Sequence, residues 1–198
     1  MGVVDDAVAA LEAGELVVLP TDTVYGLAGS PDQAGRISEL KMRRATTPIA
    51  LVAATVDELL ARLPELPARD AAIARALLPG PYTLVLRNPA RRFPELTGAT
   101  PEAIGVRVPA LSGVGAEILA RIGAVAATSA NLHGGPDPRT LADVPDQFRT
   151  AAAVLVDGGV LPGTASTVID FTGPEPRVIR EGAAPAGEAI ARVAAALP

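Results

Sequence analysis

Four short segments of the sequence place candidate ligand-binding residues two positions apart, each beside an apolar run. The four pairs are Thr21 and Thr23, Lys41 and Arg43, Gly105 and Arg107, and Ser129 and Asn131. Residues i and i+2 point to the same side of an extended chain but to different sides of a helix. Each pair can therefore face one ligand only where its backbone is extended. We expect that conformation at these strand ends and ahead of Pro48.

Arg107 is the candidate whose setting the sequence defines best. Three apolar residues at alternate positions would fill one face of a strand and leave Arg107 on the other face, partly buried. These residues are Ile104, Val106 and Val108. A guanidinium in that setting needs an anion. Two interpretations remain open, because the anion can belong to a ligand or be one of the 22 carboxylates of the Asp and Glu residues.

The other segments, each taken alone, give weaker evidence for a ligand-binding role. By default, Lys41–Arg43 is a solvated helix end, and Ser129–Asn131 is a cap or a turn. Thr21–Thr23 is equally compatible with a turn held by side-chain to backbone hydrogen bonds. Further hydroxyl and cationic groups follow at Ser166 and Arg180. Together these segments predict a site for a multiply anionic ligand.

The composition excludes several kinds of chemistry. The 198 residues contain no cysteine and one histidine, so disulfides, thiolate nucleophiles, cysteine-based zinc sites and multi-histidine metal sites cannot form. The net charge of −5 gives no general polycationic surface for duplex nucleic acid. Asp5 and Asp6 stand where a signal peptide would be basic, and no apolar run approaches the ~18 residues of a membrane span. We therefore expect a soluble, cytoplasmic protein with no membrane contact.

Apolar periodicity predicts one α/β domain over residues 1–198. We expect strands over Leu16–Leu19, Ile49–Ala53, Tyr82–Leu86, Ile104–Val108, Ala124–Ala127, Ala153–Val156, Thr167–Phe171 and Arg177–Ile179. We expect helices over Val4–Leu11, around Ile37–Leu40, and over Thr55–Leu63, Asp70–Leu78, Gly113–Ile122, Leu141–Phe148 and Gly187–Leu197. Several strands follow one another without an intervening helix, which predicts a mixed sheet.

Seven segments of the chain form a recognisable ordered set. They are Pro20–Leu27, the Lys41-x-Arg43 pair followed by Pro48, Pro79–Leu86, Gly105–Pro109, Ser129–Asn131, Ser166–Asp170 and Val178–Gly182. In this order they resemble the YrdC-like family, the threonylcarbamoyl-AMP synthases, over about Gly14 to Gly182. The resemblance implies a twisted, mixed and largely parallel sheet with flanking helices and a concave, positively charged face. It also implies the short, single-domain bacterial form of the family.

The resemblance implies an activity as well. The family makes threonylcarbamoyl-adenylate and pyrophosphate from L-threonine, bicarbonate and ATP, for threonylcarbamoyladenosine modification of tRNA. It implies Mg²⁺ accompanying ATP, a downstream tRNA-modifying transferase complex and a tRNA contact, but no metal ligands from the chain. By matched position, catalysis is implied for Lys41 and Arg43 and threonine binding for Thr23, Arg107 and Ser166. ATP binding is implied for Lys41, Arg43, Thr47, Ser129, Asn131, Asp137 and Arg180.

Two alternatives to the synthase remain, and departures from the family pattern keep the first of them open. Met42 and Arg44 stand where the family usually has Gly and Pro, and Val52 stands where some members carry His. One alternative is a paralogue without synthase activity that binds RNA or ribosomes. The other is a carbamoyl-adenylate-forming domain like that of hydrogenase maturation carbamoyltransferases, which are much larger chains. The joint presence of a nucleotide set and an amino-acid set favours the synthase.

Overall fold

Nine strands and eight helices form in residues 2–44 and 46–197, the part of the chain that this computed structural model describes. The strands are Val17–Pro20 (β1), Tyr25–Gly29 (β2), Ala50–Ala53 (β3), Tyr82–Arg87 (β4), Ala103–Arg107 (β5), Ala124–Ser129 (β6), Val154–Leu155 (β7), Thr167–Asp170 (β8) and Arg177–Arg180 (β9). The helices are Val3–Glu12 (α1), Ala34–Leu40 (α2), Val56–Arg62 (α3), Ala68–Leu77 (α4), Pro94–Thr97 (α5), Gly113–Ile122 (α6), Asp146–Ala151 (α7) and Ala186–Ala196 (α8).

All nine strands belong to one mixed sheet, in the order β7-β1-β2-β6-β3-β5-β4-β8-β9. The pairs β1–β7, β3–β5 and β4–β8 are parallel, and the other five pairs are antiparallel. Short connections such as the one between β1 and β2 can join only antiparallel strands. The predicted α/β class and mixed sheet with flanking helices are confirmed. Antiparallel pairs are in the majority, whereas the family resemblance implied a largely parallel sheet.

Two elements differ from the sequence prediction. Strand β2 was not predicted, because its two glycines have low strand propensity, yet all five of its residues are buried. A Cβ at Gly29 would lie 2.8 Å from the Leu16 side chain, so this central strand has no room for a larger residue there. The predicted helix over Leu141–Phe148 is wrong. The chain forms a short 3₁₀ turn over Leu141–Asp143, and α7 begins only after Pro145, which cannot donate a helical hydrogen bond.

Alternate residues of the strands face two different cores. In β1, Val17 and Leu19 pack with α1 and α6, whereas Val18 belongs to the larger core on the other face, which includes residues of α3, α4, α7 and α8. Among the described residues, the cluster with α1 and α6 draws on β1, β2, β3 and β6 but on none of β5, β4, β8 and β9. Half of that face of the sheet therefore remains uncovered.

The end of α2 directs Arg43 towards this uncovered face. Lys41 is the C-terminal cap of α2, and Met42 follows with a φ of 52° in the left-handed region. The Met42 amide donates to the Glu39 carbonyl at 2.9 Å, and the Arg43 amide donates to the Ser38 carbonyl at 3.2 Å. These two bonds define a Schellman motif, whose left-handed position is usually glycine. A methionine therefore takes up a strained backbone in this chain.

Replacing Met42 with glycine should stabilise the protein. The Met42 side chain is 82% exposed, so its removal sacrifices little packing. Met42→Gly should raise the free energy of unfolding by about 1 kcal/mol, because glycine adopts the left-handed backbone without a Cβ clash. Urea denaturation measures this change. Met42→Ala keeps the Cβ and is the matched control, and equal stabilities of the two variants would show that the backbone here carries no strain.

Candidate functional site

A cavity of about 590 Å³ opens over the uncovered half of the sheet and extends onto residues of β2, β3 and β6. Small strand residues form part of its lining and give it depth: Gly26, Ala50, Ala103, Gly105 and Ala127. Among the described residues, its charged lining consists of four arginines and one aspartate: Arg43, Arg107, Arg177, Arg180 and Asp170. The cavity therefore carries a net positive charge and favours anionic ligands.

Arg107 lines the cavity at the end of β5 and is also paired inside the protein. The apolar residues that alternate with it are buried in the larger core, as predicted. Its Nη2 donates to Asp22 Oδ1 and, at 2.8 Å, to Thr23 Oγ1. Its Nε is buried and has no hydrogen-bond partner among the described residues. Both interpretations left open by the sequence are thus present, an internal ion pair and a donor still available to a ligand.

Arg43 lines the cavity with less support from the protein. Its Nε and Nη2 are buried and have no hydrogen-bond partner in residues 2–44 and 46–197. Burial lowers the pKa of this guanidinium, although an arginine remains charged at neutral pH. Leaving buried charged donors unsatisfied is costly, and an anionic ligand would supply the missing acceptors. Arg43 therefore marks a position for an anion.

Lys41 lies behind the cavity wall and outside the cavity lining. Its side chain is held under the Ser129–Asn131 segment, and the residue is only 3% exposed. Nζ donates to the Ser129 carbonyl, to the Asn131 carbonyl at 2.6 Å and to Asn131 Oδ1 at 3.1 Å. The ring of Phe148 lies 5.7 Å from Nζ. These three acceptors account for all three ammonium protons, so Lys41 fixes the segment that carries Ser129.

A chain of hydrogen bonds continues from Lys41 across the site. Ser129 Oγ donates to Asn131 Oδ1 at 2.7 Å, and Asn131 Nδ2 donates to Asp137 Oδ1 at 3.3 Å. The other Asp137 oxygen accepts the Ala165 amide at 3.1 Å. Ala165 precedes Ser166, so this chain of hydrogen bonds links the two lining segments that carry Ser129 and Ser166.

The burial of Lys41 predicts a pH-dependent stability. The pKa of Lys41 is lowered to about 8, mainly by burial and then by the charge of Arg43, while the charge of Asp137 opposes this. The unfolded lysine titrates near pH ~10.4, so between these values the unfolded chain binds more protons and the Lys41 contribution to stability rises with pH. The free energy of unfolding of wild type, relative to that of Lys41→Met, should increase by about 2 kcal/mol between about pH 7.5 and about pH 9.5. Denaturant titrations at both pH values test this, and a constant difference would contradict it.

Ser166, Thr83 and Arg180 form a third group on the cavity lining. The hydroxyls of Thr83 and Ser166 lie 2.8 Å apart. Arg180 donates to the Ser166 carbonyl from Nε at 3.1 Å and from Nη2 at 2.7 Å. Gly182 lets the chain pass this close, because a Cβ there would lie 2.2 Å from the Ala165 carbonyl oxygen. The group places a hydroxyl pair beside a fixed guanidinium.

No group of three or more potential metal ligands occurs among the described residues. The cavity lining has a single carboxylate in that part of the chain, Asp170, which already accepts hydrogen bonds from Thr172 and Arg177. These residues do not form the oxygen cage that a protein-held Mg²⁺ requires. None of the helices in residues 2–44 and 46–197 has the length and apolar character needed to cross a membrane.

Comparison with known proteins assigns the family. The family model for Sua5, YciO and YrdC proteins, described as "Telomere recombination", matches residues 9–182. The chain belongs to this family. The threonylcarbamoyl-AMP synthase of Pyrococcus abyssi (strain GE5 / Orsay) is 33% identical over 182 residues, which cover 90% of this chain and 53% of that protein. The threonylcarbamoyl-AMP synthase of Chromohalobacter salexigens is 34% identical over 171 residues, which cover 84% of this chain and 91% of that protein.

A solved structure of the family has the same fold. The crystal structure of P. abyssi Sua5 complexed with L-threonine matches this Sua5/YciO/YrdC protein with a TM-score of 0.84 at 32% identity. The match covers 98% of this chain and 58% of that one.

The residues implied by the family resemblance lie in two layers of this Sua5/YciO/YrdC protein. The lining layer contains Arg43, Arg107, Ser129, Ser166 and Arg180. The layer behind contains Thr23, Lys41, Asn131 and Asp137, each hydrogen-bonded to a lining residue. Thr47 is in neither layer, although its neighbours Thr46 and Pro48 both line the cavity.

The expectation of extended backbone at each pair is only partly correct. It is wrong for Lys41 and Arg43, because the left-handed Met42 turns the chain between them. Thr21 and Thr23 lie in a turn, where Thr21 Oγ1 accepts the amides of Thr23 and Val24. Gly105 and Arg107 share the cavity face of β5, as predicted.

Several polar residues near the cavity were not singled out from the sequence, among them Thr83, Asp170, Arg177 and Asp22. Thr83 and Asp170 line it on β4 and β8, and strand alternation could have placed them there, since each is two residues from a lining valine. Asp22 pairs with Arg107 across 85 residues of sequence. No local pattern could have indicated that contact.

Proposed function

We propose that this protein is an L-threonylcarbamoyladenylate synthase, which makes threonylcarbamoyl-AMP and pyrophosphate from L-threonine, bicarbonate and ATP. The observation that carries the proposal is a pair of arginines, Arg43 and Arg107, that line the same cavity. Each has buried N–H donors without a hydrogen-bond partner among the described residues. Bicarbonate, the threonine carboxylate and the triphosphate are all anions, and they need cationic partners to be held together. The names of the related synthases and the L-threonine complex of P. abyssi Sua5 support the same substrate class.

The chemistry suits a site without cysteine or histidine nucleophiles. The threonine amine forms a bond to the carbon of bicarbonate and water leaves, which gives a carbamate. A carbamate oxygen then attacks the α-phosphorus of ATP, and the bond to pyrophosphate breaks. The protein's contribution is to position three anions and to stabilise the charge on the transferring phosphoryl group.

The two layers of the site suggest a role for each residue. Arg43, Ser129 and Arg180 would contact the nucleotide from the lining, supported by Lys41, Asn131 and Asp137 behind them. Arg107 and Ser166 would contact threonine, with Thr23 supporting Arg107. Thr47 would contribute through the same loop as Thr46 and Pro48. In this arrangement Lys41 acts on the reaction through the segment that it holds.

Further partners belong to the same proposal. Mg²⁺ would accompany the triphosphate and be held by the phosphates and water, because the described residues form no carboxylate cage. The product would pass to a tRNA-modifying transferase complex, with a tRNA contact at the basic cavity mouth. All these reactants are cytoplasmic, so we place the protein in the cytoplasm.

Pyrophosphate release by the purified protein tests the proposal. ATP, bicarbonate and magnesium are supplied with L-threonine, with serine, with glycine, or without an amino acid. Release that depends on threonine is the expected result. A folded protein that releases no pyrophosphate under any of these conditions would overturn the synthase, and RNA or ribosome binding would then be measured on the same preparation.

A further inference from the structure

Asp22 is an acidic residue whose side chain is only 10% exposed and which has no role in the proposed function. It lies in the turn between β1 and β2, which Thr21 holds in shape. Thr21 Oγ1 donates to the Val24 carbonyl at 2.6 Å and accepts the Val24 amide at 3.1 Å. Asp22 itself is outside the cavity lining. The turn thus fixes the carboxylate directly behind the wall that Arg107 forms.

Both oxygens of Asp22 are used at the end of β5. Oδ1 accepts from Arg107 Nη2, and Oδ2 accepts the Ala110 amide at 2.9 Å. The side chains of Asp22 and Arg107 are each 10% exposed. One carboxylate therefore ties the guanidinium and the backbone three residues beyond it into one rigid unit.

These contacts restrict what Arg107 can offer to a ligand. Asp22 and Thr23 accept both protons of Nη2, whereas Nε has no partner among the described residues. Burial lowers the pKa of Arg107, and the charge of Asp22 opposes that effect. Without a counter-ion, a guanidinium this buried would turn towards water whenever the cavity held no anion. Asp22 keeps the guanidinium oriented in advance of binding.

We propose that Asp22 is a positioning residue for the amino-acid site, which it serves by holding Arg107 in the orientation that receives the substrate carboxylate. This inference rests on the proposed function, because it assumes that the anion at Arg107 is the carboxylate of an α-amino acid. Asp22 does not contact the substrate. Its contribution is preorganisation, which affects threonine binding and leaves the ATP end of the cavity unchanged.

Asp22→Asn is the direct test. The side-chain oxygen of the substituted asparagine can accept from only one of the two donors, Arg107 Nη2 or the Ala110 amide. Its NH₂ group then faces the other donor, so the link between Arg107 and Ala110 is broken. We expect the KM for threonine to rise about tenfold, which corresponds to ~1.4 kcal/mol, with kcat and the KM for ATP changing less than about twofold. Asp22→Glu keeps the charge and should recover part of the loss.

An aspartate–arginine pair outside the cavity lining, in which the Arg87 side chain is 41% exposed, supplies the control. Asp70 is fully buried and pairs with Arg87 at 2.7 Å, and neither residue lines the cavity. Asp70→Asn, assayed at a temperature where circular dichroism shows it folded, should leave the KM for threonine unchanged. An equal rise in both variants would mean that Asp22 acts only on stability, and no rise in Asp22→Asn would also overturn the proposal.

Direct calorimetric titration with L-threonine separates this proposal from the proposed function. If wild type binds threonine without releasing pyrophosphate, the synthase fails and the dissociation constants of wild type and Asp22→Asn still decide the role of Asp22. If wild type binds no threonine, the assignment of Asp22 to an amino-acid site is overturned. If Asp22→Asn does not fold, the comparison of Asp22→Glu with wild type decides, with a weaker threonine affinity expected.

Discussion

Arg43→Met should make the ligand-free protein more stable and nearly inactive. Two nitrogens of the Arg43 guanidinium are buried and unpartnered in the described part of the chain, which penalises the folded state. Methionine keeps the aliphatic stem and removes the unsatisfied charge, so the free energy of unfolding should rise by about 1 kcal/mol. Under the proposed function Arg43 contacts the nucleotide, so losing this charged donor should reduce threonine-dependent pyrophosphate release by about 100-fold or more.

The two effects of Arg43→Met are measured separately. Urea denaturation gives the stability, and pyrophosphate release gives the activity. Arg44→Met is the matched control, because Arg44 is exposed and outside the cavity lining, and it should change neither quantity appreciably. ATP should raise the melting temperature of wild type more than that of Arg43→Met. A destabilised variant that retains activity would show that Arg43 has a structural partner instead of a ligand.

The placement of Arg107 shows what local sequence could predict. Ile104, Val106 and Val108 alternate with it, and a strand has a period of two, so one face had to be apolar and the other had to hold the guanidinium. Such a prediction needs only neighbouring residues. The partner of Arg107 is a different matter, because Asp22 is reached only after the turn between β1 and β2 packs against the end of β5.

The position of Lys41 shows why part of the site could not be predicted. An extended Lys41–Arg43 segment would have put both side chains on one ligand. Instead Met42 occupies the left-handed position of a Schellman motif. A glycine at this position would have indicated the end of the helix in the sequence, but methionine does not. Strand β2 was missed because its glycines suggested a turn, although a Cβ at Gly29 would lie 2.8 Å from the Leu16 side chain of the packed sheet. In both segments, tertiary packing overrode the local propensity.

Asp70→Ala should lower the free energy of unfolding by several kcal/mol, because it removes a fully buried carboxylate. Asp70 lies in the first turn of α4 and is fully buried. Its carboxylate accepts the Arg87 amide and Arg87 Nε, each at 3.0 Å, and Arg87 Nη2 at 2.7 Å. These bonds join α4 to the end of β4. Removing the carboxylate deprives the Arg87 amide of its acceptor and breaks two charge-assisted hydrogen bonds to the Arg87 side chain, so the free energy of unfolding should fall by about 3–4 kcal/mol.

The expected loss from Asp70→Ala corresponds to a melting temperature lower by about 10 °C for a chain of this size. Differential scanning calorimetry measures it. Glu102→Ala is the control, because it removes an equally close ion pair, with Arg91 at 2.6 Å, between side chains that are both more than half exposed. Solvent screens such a pair, and its loss should cost less than about 1 kcal/mol. If both variants lost similar amounts of stability, the strength of the Asp70 contact would not come from its burial or from its three hydrogen bonds.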